Sequence, residues 1–399
     1  MNTDGPPAAP PSAEEAAARA GLSAVAEPGD PVLGALLRTR PAAQVWAALR
    51  AGAPLDAPEE CAAALHGRLE RWRGRARGTD VDRMLARAAE HGARLVLPGD
   101  PEWPSQLDTL AERRPHALWV RGAHDLRNAC LRAVSVVGSR AASAYGLHVT
   151  SEMAHTLAER GWCVVSGGAY GIDGAAHRGA LAGGAATVAV LACGVDVSYP
   201  RGHEQLFAEI TGHGVLVSEH PPGTTPSRHA FLVRNRLIAA LTPGTVVVEA
   251  GQRSGAMNTA AHAQELGRTL MAVPGPVTSA LSAGCHRLLR DYQAVCVTSA
   301  RDVIEQLSPV GTEPPAEDGV RVGTELLDDT ARRLLDALPE RGSAGVAVVA
   351  AAGGLSPDAA LRHLGLLAAA GHVERTATGW RRRTSDERRS RGRKDRVPT

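Results

Sequence analysis

VVSGGAYGIDGAAHRGAL, from Val164 to Leu181, decides the architecture. A β-branched run ends in Ser166-Gly167-Gly168, passes Tyr170 and turns at Gly171. A helix opens near Asp173, with His177 four residues further on the same face. A strand that feeds a helix through glycines builds a backbone cradle for an anion at the helix N-terminus. The occupant could be a nucleotide cofactor, a substrate to be cut, or the phosphates of a nucleic-acid strand.

The same grammar extends on both sides. AVSVVGS, WCVVSGG, TVAVLACG, GVLVSEH, TVVVEA, TLMAVPG and AVCVTS read as strands, most of them separated by helical stretches such as YGLHVTSEMAHTLAERG. Continuous apolar strands alternating with helices predict an α/β domain with a doubly wound parallel sheet covered on both faces. Ligands of such sheets bind beyond the strand C-termini. Polar and Gly-rich turns fall there: Gly138-Ser139-Arg140, Ser166-Gly167-Gly168, Gly194-Val195-Asp196, Glu249-Ala250-Gly251 and Pro274-Gly275-Pro276.

The remaining chain divides around this block. Residues 1–30, acidic and rich in Pro and Ala, read as a disordered leader without the pattern of a signal peptide. Residues 31–122 read as a helical domain, with apolar residues three and four apart in PVLGALLRT, AAQVWAALR, ECAAALHGRLERWRG and DVDRMLARAAEHG. That region ends in the extended ARLVLPGDPEWPSQL and PHALWVRG. Residues 123–308 hold the α/β domain, and 309–323 form a linker. Residues 324–383 read as three short helices and a β-hairpin, the pattern of a winged helix-turn-helix. Residues 384–399 form a basic tail. From Arg381 to Thr399 there are nine basic and three acidic residues, a local charge of +6 in a chain whose net charge is +2. Such a tail suits polyanions or simply solubilises the end.

Composition narrows the function. Hydrophobic residues make up 44% and charged residues 22% of the 399, the profile of a soluble globular protein. No run is apolar enough for a membrane span, so no membrane partner is expected. The six cysteines contain no C-x-x-C pair, which argues against metal and disulfide and for a cytoplasmic home. Only one lysine, Lys394, is present, so the abundance of Arg alone says nothing about nucleic acid.

No cofactor is expected. Neither VVGSRAASAYG nor VVSGGAYGIDG is a G-x-G-x-x-G fingerprint, and no G-x-x-x-x-G-K-[ST] occurs. Hydrolysis could be drawn through Asp173, His177, Glu249 and His262, but no nucleophile order or metal spacing supports it, and catalysis is not expected. A nucleic-acid strand fits better. Arg140 follows the first strand; Arg228, Arg234, Asn235 and Arg236 cluster in PSRHAFLVRNRLIAAL, read as a helix start; Arg253, Ser254 and Gly255 open another helix. Several cradles along one sheet edge can follow a chain of phosphates.

Seven ordered motifs, VVGSR, SGGAYGIDGAAHRGAL, YPRGHEQL, SEHPPGT, RNRLIAAL, VVVEAGQRSGAMNTAAHAQELGR and AVPGP, resemble the DNA-processing protein A (DprA/Smf) family. DPEWPSQL and PHALWVRG resemble the family's lead-in, so the likeness covers about residues 97–307. It implies an extended Rossmann-like domain preceded by a SAM-like helical domain. It also implies binding and protection of single-stranded DNA, loading of the RecA recombinase during transformation, dimerisation through the central domain and no catalysis. Carried over by position, Gly138, Ser139, Arg140, Ser166, Gly167 and Gly168 would line the pocket, with Gly171 and Asp173 shaping the next turn. Arg234, Asn235 and Arg236 match the basic helix start, and Arg253, Ser254 and Gly255 the third cradle.

Two positions depart from the family. Tyr170 stands where Arg usually precedes Gly-Ile-Asp, and could stack on a base instead. The family's Asn near Cys285 or His286 is missing. The runner-up is a nucleotide N-glycosidase resembling the phosphoribohydrolases, whose P-G-G-x-G-T turn is replaced here by EAGQRSGAMNT. A third reading is a regulator acting through the winged helix, although SPDAALRHLGLLAAAG offers the major groove only Arg362 and His363.

Overall fold

The computed structural model describes residues 11–56, 58–308, 329–339, 342–369, 372–376 and 378–382. The linker read at 309–323, the tail read at 384–399 and the first ten residues of the leader lie outside them. The chain forms two compact units, Met1–Glu313 and Pro314–Thr399.

The first unit begins with five helices: α1 (Ala13–Val25), α2 (Pro31–Thr39), α3 (Ala42–Ala51), α4 (Glu59–Gly78) and α5 (Val81–Glu90). The leader expected to be disordered is therefore helical from Ala13. Ser12 caps α1 by accepting the Glu15 N–H, and Ala18, Leu22 and Val25 are buried with Leu33, Leu36, Val45 and Trp72. Glu15 also accepts the Ala42 and Ala43 N–H groups that begin α3, so α1 is tied at both backbone and core.

Two strands follow, β1 (Ala93–Val96) and β2 (Leu118–Arg121), joined through a 3-10 segment over Ser105–Arg113. Then come α6 (Leu126–Cys130), β3 (Ala133–Val137), α7 (Ala144–Glu159), β4 (Cys163–Ser166), α8 (Ile172–Ala182) and β5 (Thr187–Val190). After these the chain runs through α9 (Glu204–His213), β6 (Val215–Ser218), α10 (Arg228–Ala240) and β7 (Gly244–Val247). It continues as α11 (Gly255–Glu265), β8 (Thr269–Ala272), α12 (Ala283–Asp291), β9 (Val295–Cys296) and α13 (Ala300–Leu307).

All nine strands form one sheet in the order β1-β2-β6-β5-β4-β3-β7-β8-β9. From β6 to β9 neighbours are parallel; β2 pairs antiparallel with both β1 and β6. The sheet is thus mixed, and the boundary read at 122/123 cuts it between two paired strands, Trp119 lying opposite Ser218. Adjacent residues of one strand serve opposite faces. Val165 and Val247 pack with Leu237, Ile238 and Ala260, whereas Val164 and Val246 pack with Met153 and Leu157. Both faces are covered, which is why these strands read as unbroken apolar runs.

The second unit contains α14 (Asp329–Asp336), α15 (Val346–Gly353) and α16 (Pro357–Ala369). A hairpin of β10 (Val373–Thr376) and β11 (Gly379–Arg382) follows, and Leu334, Val349, Leu364 and Trp380 share its core.

Candidate functional site

Chain order runs outward from β3 in one direction through β4, β5 and β6, and in the other through β7, β8 and β9. The crevice beyond the ends of β3 and β7 is therefore the topological switch point of the sheet. A cavity of about 660 Å³ opens there, lined by Gly138, Ser139, Arg140, Ala169, Asp173, Arg228, Phe231, Leu232, Arg234, Asn235, Gly251, Arg253, Ser254 and Gly255, among others.

Three helix N-termini converge on it: those of α8, α10 and α11. Ser227 and Ser254 cap the latter two by accepting the N–H groups of Ala230 and Ala256. Arg140, Arg228 and Arg253 all line the cavity with exposed side chains. Arg140 lies over the Phe231 ring at 4.6 Å, and Tyr199 meets the same ring at 5.5 Å. Phe231, Leu232 and Leu281 supply an apolar wall. Helix dipoles, free N–H groups and guanidinium groups thus face one space beside an apolar surface. This is an environment for an anion that carries a flat apolar group.

The glycine turn forms as expected. Gly168 and Gly171 hold φ of +68° and +74°, which residues with a Cβ avoid. Gly171 also passes beneath the Ser139 and Arg140 carbonyls, and the Ile172 N–H donates to Ser139 O. The β3 and β4 turns are thereby locked together. Ser166, fully buried, donates to Val136 O and does not reach the cavity. Gly167 and Gly168 lie behind its lining, and Tyr170 stands just outside it, half exposed.

The RNR segment is placed differently from the expectation. It is not a helix start: α10 begins at Arg228, so Arg234, Asn235 and Arg236 fall in the helix body and are buried. Arg236 points away from the cavity, forming a bidentate pair with Glu219 at 2.5 and 2.6 Å. It is a structural clamp and not part of a phosphate track. Arg234 reaches the cavity floor, but its guanidinium donates to Gly167 O and Val190 O, tying the ends of β4 and β5. Burial lowers its pKa to about 10. Asn235 donates to Gly255 O and Asn258 Oδ1, joining α10 to α11. Of that cluster Arg228 is the residue that faces the cavity, and Phe231 is the lining residue that sequence reasoning missed. Ser227, a capping residue directly before Arg228, was the signal that placed the helix start there.

The groups drawn as acids and bases are occupied. Glu249 accepts the Ser143 N–H and hydroxyl, at 2.8 and 2.6 Å. His177 does not pair with Asp173; its Nδ1 meets Thr187 Oγ1 at 2.8 Å, and burial lowers its pKa to about 3. His262 contacts Glu265. All six cysteines are free, and among the described residues no group of three or more His, Cys, Asp or Glu could hold a metal.

Asp173 is the cavity's acid. Burial raises its pKa against the opposing pull of Arg234, the Ala169 N–H and Arg140. A carboxyl protonated more readily in the folded than in the unfolded state loses stabilisation as pH rises through the folded value. The stability of the wild type relative to Asp173→Asn should therefore fall as pH rises above the ordinary carboxylate value of about 4, read by urea unfolding at each pH. A relative gain over that rise would mean that Arg234 dominates the burial.

Fold and site together define an open α/β protein with a basic, partly apolar pocket at the switch point of its sheet. The chain belongs to a family described as DNA recombination-mediator protein A, whose model matches residues 94–308. The "Putative DNA processing protein DprA" of Mycobacterium tuberculosis is 44% identical over 377 residues, covering 90% of this chain and 92% of that protein. The DNA processing protein DprA of Streptococcus pneumoniae is 41% identical over 207 residues, covering 52% of this chain and 72% of that protein. The X-ray structure of DNA processing protein A from Streptococcus pneumoniae is similar with a TM-score of 0.62 and 28% identity, over 75% of this chain and 99% of that one. Among the described residues no helix is long and apolar enough to cross a membrane.

Proposed function

We propose that this chain binds single-stranded DNA in the switch-point cavity, protects it, and delivers it to the RecA recombinase without catalysing a reaction. The observation that carries the binding is the convergence of three helix N-termini and three exposed arginines on one cavity with an apolar wall. Phosphates suit the helix ends and guanidinium groups, and an unstacked base suits Phe231 and Leu232. A duplex keeps its bases stacked inside and cannot use that wall. RecA delivery, pairing of two copies through the Rossmann-like domain and a cytoplasmic location rest on family membership. The N-glycosidase alternative is not favoured, because Glu249 is committed to Ser143.

We read the second unit as a winged helix that contacts protein. The outer face of α16 carries the exposed Leu361 and Leu366, with Arg362 as its only exposed basic residue. That is poor equipment for the major groove.

Fluorescence anisotropy with labelled oligo-dT and with duplex of equal length, at several salt concentrations, tests the binding. The wild type should prefer the single strand. Arg228→Ala with Arg253→Ala should weaken it and flatten the slope of log affinity against log salt by about 1.4, at ~0.7 per lost phosphate. Equal affinity for duplex, or an unchanged slope in the double variant, would remove the cavity as the binding site.

A further inference from the structure

Beyond the cavity, the loop Tyr199–His203 carries chemistry that the pocket does not use. It starts at the cavity rim, where Tyr199, 43% exposed, meets Phe231. It ends beneath the glycine turn, where His203 Nδ1 donates to Gly168 O at 3.0 Å. Between them Gly202 passes under the Tyr170 hydroxyl, so closely that a Cβ would lie 2.7 Å from it. Tyr170 and His203 meet at 4.9 Å with ring planes at 74°, which holds the tyrosine upright while half of its surface stays open. Arg178, on α8, folds back over Gly174 beside His203 Nε2. Arg178 and Arg201 are both exposed, and among the described residues neither side chain has a hydrogen-bond or carboxylate partner.

An open aromatic side chain, with one such guanidinium on the helix its turn feeds and another on the loop it packs against, suits a single-strand track in which a base stacks and its phosphates are neutralised nearby. We propose that a strand seated in the cavity continues over this loop, one base stacking on Tyr170 and its phosphates meeting Arg178 and Arg201. The proposal rests on the cavity being the primary single-strand site and gives the strand its direction, from Phe231 past Tyr199 towards α8.

Length dependence separates this track from the cavity. Anisotropy is measured with oligo-dT of about 4 and about 12 nucleotides, within the range of single-strand site sizes. The wild type should bind the longer strand more tightly. Arg178→Ala with Arg201→Ala should lose about tenfold of that gain, with a salt slope lower by about 1.4. Tyr170→Ala should lose about tenfold for the longer strand without a change in slope, and Tyr170→Phe should restore it. A double variant with the wild-type length dependence and slope overturns the track and leaves the cavity standing. Absence of wild-type binding at both lengths overturns both.

Discussion

Replacing Glu219 with Leu should destabilise the protein by about 3–5 kcal/mol, because it leaves a guanidinium buried without its counter-charge. Side chains of the Arg236–Glu219 pair are 4% and 5% exposed. Arg236 also donates through Nε and Nη2 to Arg113 O, at 3.2 and 3.0 Å, and its guanidinium packs against Gly29. One side chain of α10 therefore joins the turn after β6, the 3-10 segment and the loop before α2. Removing Glu219 strands a charge at that junction. Removing both charges does not, so Glu219→Leu with Arg236→Met should recover most of the loss. Urea unfolding of the two single variants and the double provides the cycle. Losses that simply add, or a Glu219→Leu loss below about 1 kcal/mol, would show that the pair is not the clamp described.

Gly171→Ala should be comparably severe, for a different reason. The position has φ +74° and ψ −126°, a conformation that costs a residue with a Cβ about 1–3 kcal/mol. The new methyl would also press into the Ser139 carbonyl and lie 2.6 Å from that of Arg140. Overpacking of this kind adds about 1–3 kcal/mol. Relief requires the β3 turn to move off the start of α8, which separates Arg140 from the α8 N-terminus. We expect a loss of about 3 kcal/mol or more in unfolding free energy together with loss of single-strand affinity. Gly255→Ala is the control for the unfolding measurement, since a Cβ there meets nothing within 4 Å and the residue begins α11. Gly171→Ala with wild-type stability would mean that the two turns are not interlocked.

The parallel strands were legible because both their faces are buried, which forces runs such as VSVV and CVVS that no half-exposed strand would carry. Their turns were legible for a related reason: only glycine tolerates the backbone at 168 and 171. The RNR segment misleads because charge in a sequence reads as a sign of exposure. Its arginines are buried and satisfied by a carboxylate and by strand-end carbonyls, partners distant in sequence. In the leader, Pro and Ala content hid a helix that Ser12-Ala13-Glu14-Glu15 announces as a capping motif. The place of β1 and β2 was not legible at all. Their apolar runs are short, and their partner in the main sheet is set by packing across about a hundred residues.

That pairing has a consequence for how the chain is made. Trp119 and Val120 must wait for Ser218 and Val217 before β2 gains its second neighbour. At about 5–20 residues per second, a ribosome needs roughly 5–20 s to synthesise the intervening stretch. Once the β1–β2 ribbon has left the exit tunnel behind the five N-terminal helices, one of its strand edges stays unsatisfied for a comparable time, until β6 follows. Completion of the sheet at β6 is thus the moment when the nascent chain stops presenting an open edge to its neighbours on a polysome.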